Sequence, residues 1–144
     1  MVAEDRASAF LEALDAPKAR WLKLQGFKGQ AGKLILVPGP DGGLAEAVLG
    51  LGDGTDPLAS GHAPLTLPEG DYSLAVHGAN IAPDDLALGW AMGSYKFDEY
   101  KSAPPKAKNL RLVWPEGANR KRVLAAAEAI WTARDWIAMP ASDM

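Results

Sequence analysis

Cysteine is absent from the 144 residues. That excludes a disulfide framework, a thiolate metal site and a cysteine nucleophile. Histidine is scarce: His62 and His77 are the only two, and neither has a glutamate at the spacing of a zinc-binding helix. No apolar run approaches the roughly 20 residues of a membrane span. The opening MVAEDRASAF lacks the apolar core of a secretory signal. Basic charge is not in excess: 15 Lys and Arg against 18 Asp and Glu leave a net charge of −3. A dedicated nucleic-acid binder is usually basic, so that class is disfavoured. What remains is ordinary globular material, 48% apolar and 23% charged. A chain of this length buries roughly two thirds of its unfolded surface, enough for a core without staples. The expectation is one soluble, cytoplasmic domain with no nucleic-acid and no membrane partner.

Fifteen glycines and eleven prolines cut the chain into short elements, most densely between Gly26 and Gly70. A first helix is expected with Ser8 as N-cap and an apolar face of Phe10, Leu11 and Leu14. A second begins at Asp15 with Pro17 in its first turn, and Gly26 is its natural stop. Leu34 to Val37 is an unbroken apolar run of strand length, the pattern of burial on both faces. The turn Gly39-Pro40-Asp41-Gly42-Gly43 and the run from Leu44 to Leu51 complete a hairpin. A short helix is expected near Pro57–Ser60 and a strand over Tyr72–Val76. A helix starts at Pro83-Asp84-Asp85 and runs to about Tyr95 or Lys96. Gly89 and Gly93, four apart on its face, predict a closely approaching neighbour. A strand over Leu110–Trp114 and a long helix over Ala118–Ile137 follow. That helix carries Val123, Ala127, Ile130, Trp131 and Ile137 on one side. Strands interleaved with helices, with one antiparallel hairpin, predict a three-layer α/β/α fold with a mixed central sheet.

Residues that carry chemistry are few. His62 reads as a loop histidine in water and His77 as a strand-end residue with a satisfied ring. Asp53 and Asp56 in GLGDGTDP have two carboxylates for a hard cation, but proline and leucine follow where further ligands would stand, so turn formation is the reading. Gly50, Gly52 and Gly54 follow a strand, where anions are often cradled, yet they match no phosphate-loop spacing. Tyr95, Lys96, Phe97, Tyr100 and Lys101 form a basic-aromatic patch interrupted by Asp98 and Glu99, better read as aromatic packing with snorkelling lysines. Ser94 has no base beside it. No catalytic, cofactor-binding or metal-ligating residue is assigned.

Three blocks in order go further: ALGWAMGSYKFDEYK (residues 87–101), LRLVWPEGA (110–118) and AEAIWTARDWIAMPASDM (127–144). Together they resemble the leucine aminopeptidase family, the two-metal cytosol aminopeptidases. In that family a small N-terminal α/β domain ends in such a run. Ala138-Met139 stands where the family usually has asparagine-threonine, and Trp136 where it has leucine or methionine. The family's metal ligands and its N-T-D-A-E-G-R-L segment belong to a following catalytic domain, so no ligand carries over to any residue here.

The resemblance implies a non-catalytic, macro-like N-terminal domain over residues 1–117. A long helix and the start of an interdomain junction would occupy 118–144, with Met144 interrupting a motif. The implied partners are its own C-terminal catalytic domain and, in the parent, further copies in a hexamer. The implied cofactors are two divalent ions, zinc or manganese, held by that catalytic domain and none by this one. Two other readings stay open. One is a macro-like nucleotide or ADP-ribose module with its pocket near residues 50–54 or 77–80, which rests on fold analogy alone. The other is a small free-standing hydrolase, which lacks a visible nucleophile–base pair.

Overall fold

The computed structural model of the chain describes residues 1–98 and 108–140. Helix α1 spans Ala7–Ala13 and follows a 3-10 turn at Glu4–Arg6. Ser8 lies inside α1 rather than capping it, because that turn feeds the helix directly and Arg6 takes the N-cap position. Helix α2, Ala16–Leu24, is capped by the Asp15 carboxylate, which accepts from the Lys18 N–H at 3.0 Å. Its end is a Schellman turn. The Gly26 N–H donates to the Lys23 carbonyl and the Phe27 N–H to the Leu22 carbonyl. Gly26 takes φ +65°, which glycine adopts without steric cost. Leu22 and Phe27, closing the motif, are both buried.

Strands β1 (Leu34–Pro38) and β2 (Leu44–Leu49) form the antiparallel hairpin, with Ile35 opposite Val48 and Leu36 opposite Ala47. Gly42 turns the chain at φ +82°, and the Asp41 carboxylate accepts from the Gly43 N–H. Strand β3 is Gly70–Tyr72 and pairs in parallel with β4, Leu110–Leu112. Both are shorter than the expected 72–76 and 110–114, and β3 lies earlier. Val2 joins the two ladders: it bridges Gly50 on one side and His77 on the other, both in parallel. The order across the molecule is therefore β1, β2, the N-terminal residues, the 70–77 segment and β4, with mixed directions.

Helices cover both faces. Ile35, Val37 and Val48 pack with Ala7, Leu11 and Leu22 of α1 and α2. Leu49, with Leu34 and Ala47 beside it, packs with Trp90 of α3, which spans Pro83–Ser94. The chain is thus an α/β protein with mixed strand pairing, as its alternation of elements predicts. Burial of the strands on both faces does not hold. Leu36 is 38% exposed and Val113 55%. β1 pairs only with β2 among the described strands, so Leu36 lies at the rim, beyond the cover of α3. Val113 stands one residue past the β4 ladder.

The small residues of α3 have the expected cause. A 3-10 turn at Ala59–His62 lies against the helix. A Cβ on Gly89 would meet the Leu58 carbonyl at 2.7 Å, and one on Gly93 would collide with the Gly61 carbonyl. Buried Ser60 donates from Oγ to the Leu86 carbonyl at 2.8 Å and ties the turn down. Helix α4, Arg120–Ala138, starts at Asn119, whose side chain accepts from the Arg122 N–H. It packs on α3 with Val123 and Ala127 buried.

Candidate functional site

The residues weighed for chemistry do not converge. The His62 ring lies beside Gly32. His77 is exposed and its ring stacks, tilted, on Phe10 at 5.2 Å. Asp53 accepts from the backbone N–H and the hydroxyl of Thr55, and these bonds hold its carboxyl below the usual range. Asp56 accepts from the Leu58 N–H. Both are turn-formers, as their spacing suggests. Among the described residues no three His, Asp or Glu side chains gather at metal-binding distance.

The glycine segment is spent on packing. The Gly50 N–H donates to the Lys33 carbonyl, that of Gly52 to Gly29 and that of Gly54 to Leu51. A Cβ on Gly50 would collide with the Gln30 carbonyl. An anion cradle needs free N–H groups pointing outward, and these point into the protein. Gly78, in the 77–80 stretch, is pressed against the Arg6 side chain. Ser94 donates its hydroxyl to the Trp90 carbonyl, within its own helix.

The outer side of α3 and α4 holds a different kind of site. Tyr95 donates from its hydroxyl to the Asp135 carboxylate at 2.8 Å. The Arg134 guanidinium lies 5.3 Å from the Tyr95 ring centre and donates to the Met92 carbonyl at 3.3 Å. Desolvation, then the Asp135 carboxylate, pushes the Tyr95 phenol above its ordinary pKa, so it stays a donor. At the other end Asp84 accepts from the Asn119 N–H at 2.6 Å, and Arg120 lies over the Trp114 ring at 5.6 Å. Tyr95 alone of this cluster stood out in the sequence, as part of the basic-aromatic patch. Tyr100 and Lys101 of that patch lie outside the described residues.

Fastened at both ends, α4 still leaves apolar surface outside. Trp136 is 66% exposed and Ile137 84%. Nine residues past Ala127, at roughly 100° per residue, Trp136 comes out on the side of α4 opposite its buried stripe. Ile137, fourteen residues past Val123, keeps within about 40° of the side of Val123, and it is exposed because it lies past the contacts that Arg134 and Asp135 make with Met92 and Tyr95. Ile130, expected to be buried, is 36% exposed, because α4 presents only a narrow seam to α3. Adjacent exposed aromatic and aliphatic side chains of this size mark an interaction surface more often than a solvated one. Residues 141–144 of the expected junction motif lie outside the described residues.

Comparison with known proteins settles the family. Residues 1–115 match the N-terminal domain of M17 aminopeptidases. The chain belongs to that family. A probable cytosol aminopeptidase of Gluconobacter oxydans is 32% identical over 142 aligned positions, taking in 85% of this chain and 28% of that protein. The cytosol aminopeptidase of Coxiella burnetii superposes with a TM-score of 0.81 at 29% identity, over 99% of this chain and 31% of that one. The bottromycin maturation enzyme BotP superposes at 0.67 with 28% identity, over 90% of this chain and 31% of its own. A structure of BotP in complex with Mn gives 0.62 at 27% identity. This chain spans less than a third of the length of each of these relatives.

Proposed function

We propose that this M17 domain acts as the non-catalytic N-terminal part of a metallo-aminopeptidase that removes N-terminal residues from peptides. The observation that carries the reading is α4. Val123 and Ala127 in its first half are buried against α3, while Trp136 and Ile137 stand exposed beyond the matched domain. On this reading residues 1–117 are the macro-like domain proper. Residues 118–144 lead to a catalytic domain, and Trp136 and Ile137 pack against it. Two divalent ions would lie in that catalytic domain, where they activate water and stabilise the tetrahedral oxyanion. The manganese of BotP supports that placement by kinship. The role left to this chain is assembly, stability or substrate access, within a hexameric, cytosolic parent. No helix among the described residues is long and apolar enough to cross a membrane, which agrees with such a parent.

The test is reconstitution. The catalytic part of the Gluconobacter oxydans relative, produced without its own N-terminal domain, is mixed with this chain and manganese. A stable complex with higher peptidase activity than the catalytic part alone is expected. Metal-dependent peptidase activity in this chain alone, or no complex at all, would overturn the reading.

A further inference from the structure

Helix α3 ends at Ser94, and the contact that α4 makes with it changes character at that level. Earlier on α4 the contact is apolar, through buried Val123 and Ala127. Beyond Ala127 no side chain of α4 is buried, and Trp131 is covered only in part. What holds the later turns is polar.

Arg134 comes eleven residues after Val123 and so lies within about 20° of its side of the helix. Its guanidinium donates to the Met92 carbonyl and lies over the Tyr95 ring. Met92 belongs to the last turn of α3, where a carbonyl has no helical N–H to accept from and where the helix dipole favours a cation. Asp135, the next residue, accepts from the Tyr95 hydroxyl at 2.8 Å. Tyr95 is the C-cap of α3 and has already left the helix for extended backbone, at φ −63° and ψ 134°. Two adjacent residues of α4 thus grip the end of α3, one through its backbone and one through its capping side chain.

Without that grip the part of α4 past Ala127 is a short helix with no fully buried side chain. Isolated helices shorter than about 12–15 residues are marginal in water, so this part would fray and leave the line of α3. The Tyr95–Asp135 bond is the stronger half of the grip. It is short and its acceptor is charged, whereas Arg134 reaches its carbonyl at 3.3 Å.

We propose that Tyr95 and Asp135 are positioning residues for the catalytic domain: their bond fixes the direction in which α4 leaves this domain. The assignment rests on the reading of α4 given above. A helix that keeps its docking direction presents its full affinity to the partner. One that keeps it only about a tenth of the time binds about tenfold more weakly, because the partner must wait for the competent fraction. Loss of a hydrogen bond to a charged group is large enough for a change of that size.

The test uses the full chain, first alone and then with its partner. Alone, hydrogen exchange at Trp131–Ala138 should quicken about tenfold in Tyr95→Phe and in Asp135→Ala, with Val123–Ala127 keeping their protection. The double variant should be no faster than either single one, since both cut the same bond. Asp135→Asn should stay close to the parent chain, because its amide oxygen still accepts from the hydroxyl. Mixed with the catalytic part of the Gluconobacter oxydans relative, Tyr95→Phe and Asp135→Ala should associate about tenfold more weakly, and Asp135→Asn should recover the affinity. A merely structural role would speed exchange along the whole helix and give no such recovery. Unchanged exchange in Tyr95→Phe, or additive effects in the double variant, overturns the proposal. Association as tight after Tyr95→Phe as before it overturns the proposal alone. If the parent chain itself fails to associate, the reading of α4 falls and takes the assignment with it.

Discussion

Gly93 of α3 and Gly61 of the neighbouring turn approach so closely that a Cβ on Gly93 would overlap the Gly61 carbonyl. The obstacle is backbone, so no rotamer change relieves it. Alanine in place of glycine gains about 1 kcal/mol of helix propensity. Overpacking of this kind costs roughly 1–3 kcal/mol and should win. Gly93→Ala is therefore expected to lower stability in urea unfolding. A neutral or raised midpoint would mean that the turn does not sit on α3.

The two candidate caps at the N-terminal helices should separate cleanly. The Asp15 carboxylate satisfies the Lys18 N–H, and its loss in Asp15→Ala should cost about 1 kcal/mol. Ser8 sits inside α1 and reaches only Glu12, at 3.4 Å. Ser8→Ala should stay within about 0.5 kcal/mol of the parent chain. Thermal unfolding of the two variants side by side checks both values.

These two residues also show what was legible. Asp15, Pro17 and Gly26 act through bonds within a few residues, so the pattern in the sequence and the geometry coincide. The Gly-Pro-Asp-Gly-Gly hairpin and the close approach at Gly89 and Gly93 could be read for the same reason. Ser8 failed because a 3-10 turn ahead of α1 shifted the start by tertiary pairing of Val2 and Ala3. Leu34–Val37 failed because an apolar run does not reveal whether its strand is central or at the rim. The exposed end of α4 was partly legible: the resemblance singled out Trp136, while only the packing on α3 fixed that Val123 and Ala127 are the buried positions.

Stability should depend on pH through Met1. Its amine has a folded pKa of about 6 against 8.0 when free, so the unfolded chain binds more protons between those values. By linkage, stability then rises with pH from 6 to 8 and levels off above. The destabilising effect is complete below pH 6, where both states are protonated. Two pKa units correspond to at most about 3 kcal/mol. Urea midpoints measured from pH 5.5 to 8.5 should trace that rise. Acetylating the Met1 nitrogen should flatten it, and an unchanged slope after acetylation would assign the effect to another group.

Two pairs of substitutions on α4 separate packing from docking. Val123 and Ala127 are buried against α3, whereas Trp136 and Ile137 stand exposed further along the same helix. Val123→Ala deletes two buried methyl equivalents and leaves a gap, a cost of roughly 1.5–3 kcal/mol. The double change Trp136→Ser and Ile137→Ser removes only exposed surface and should shift stability by less than about 0.5 kcal/mol. In reconstitution with the catalytic part the order should reverse. Val123→Ala should still dock once folded, because its side chain points away from the partner. The double variant should lose the complex, since the large apolar side chains at an interface centre carry most of its energy. Unfolding midpoints and gel-filtration of the mixture read the two properties separately. If the double variant docks as well as the parent chain, the exposed end of α4 is not the surface that meets the catalytic domain.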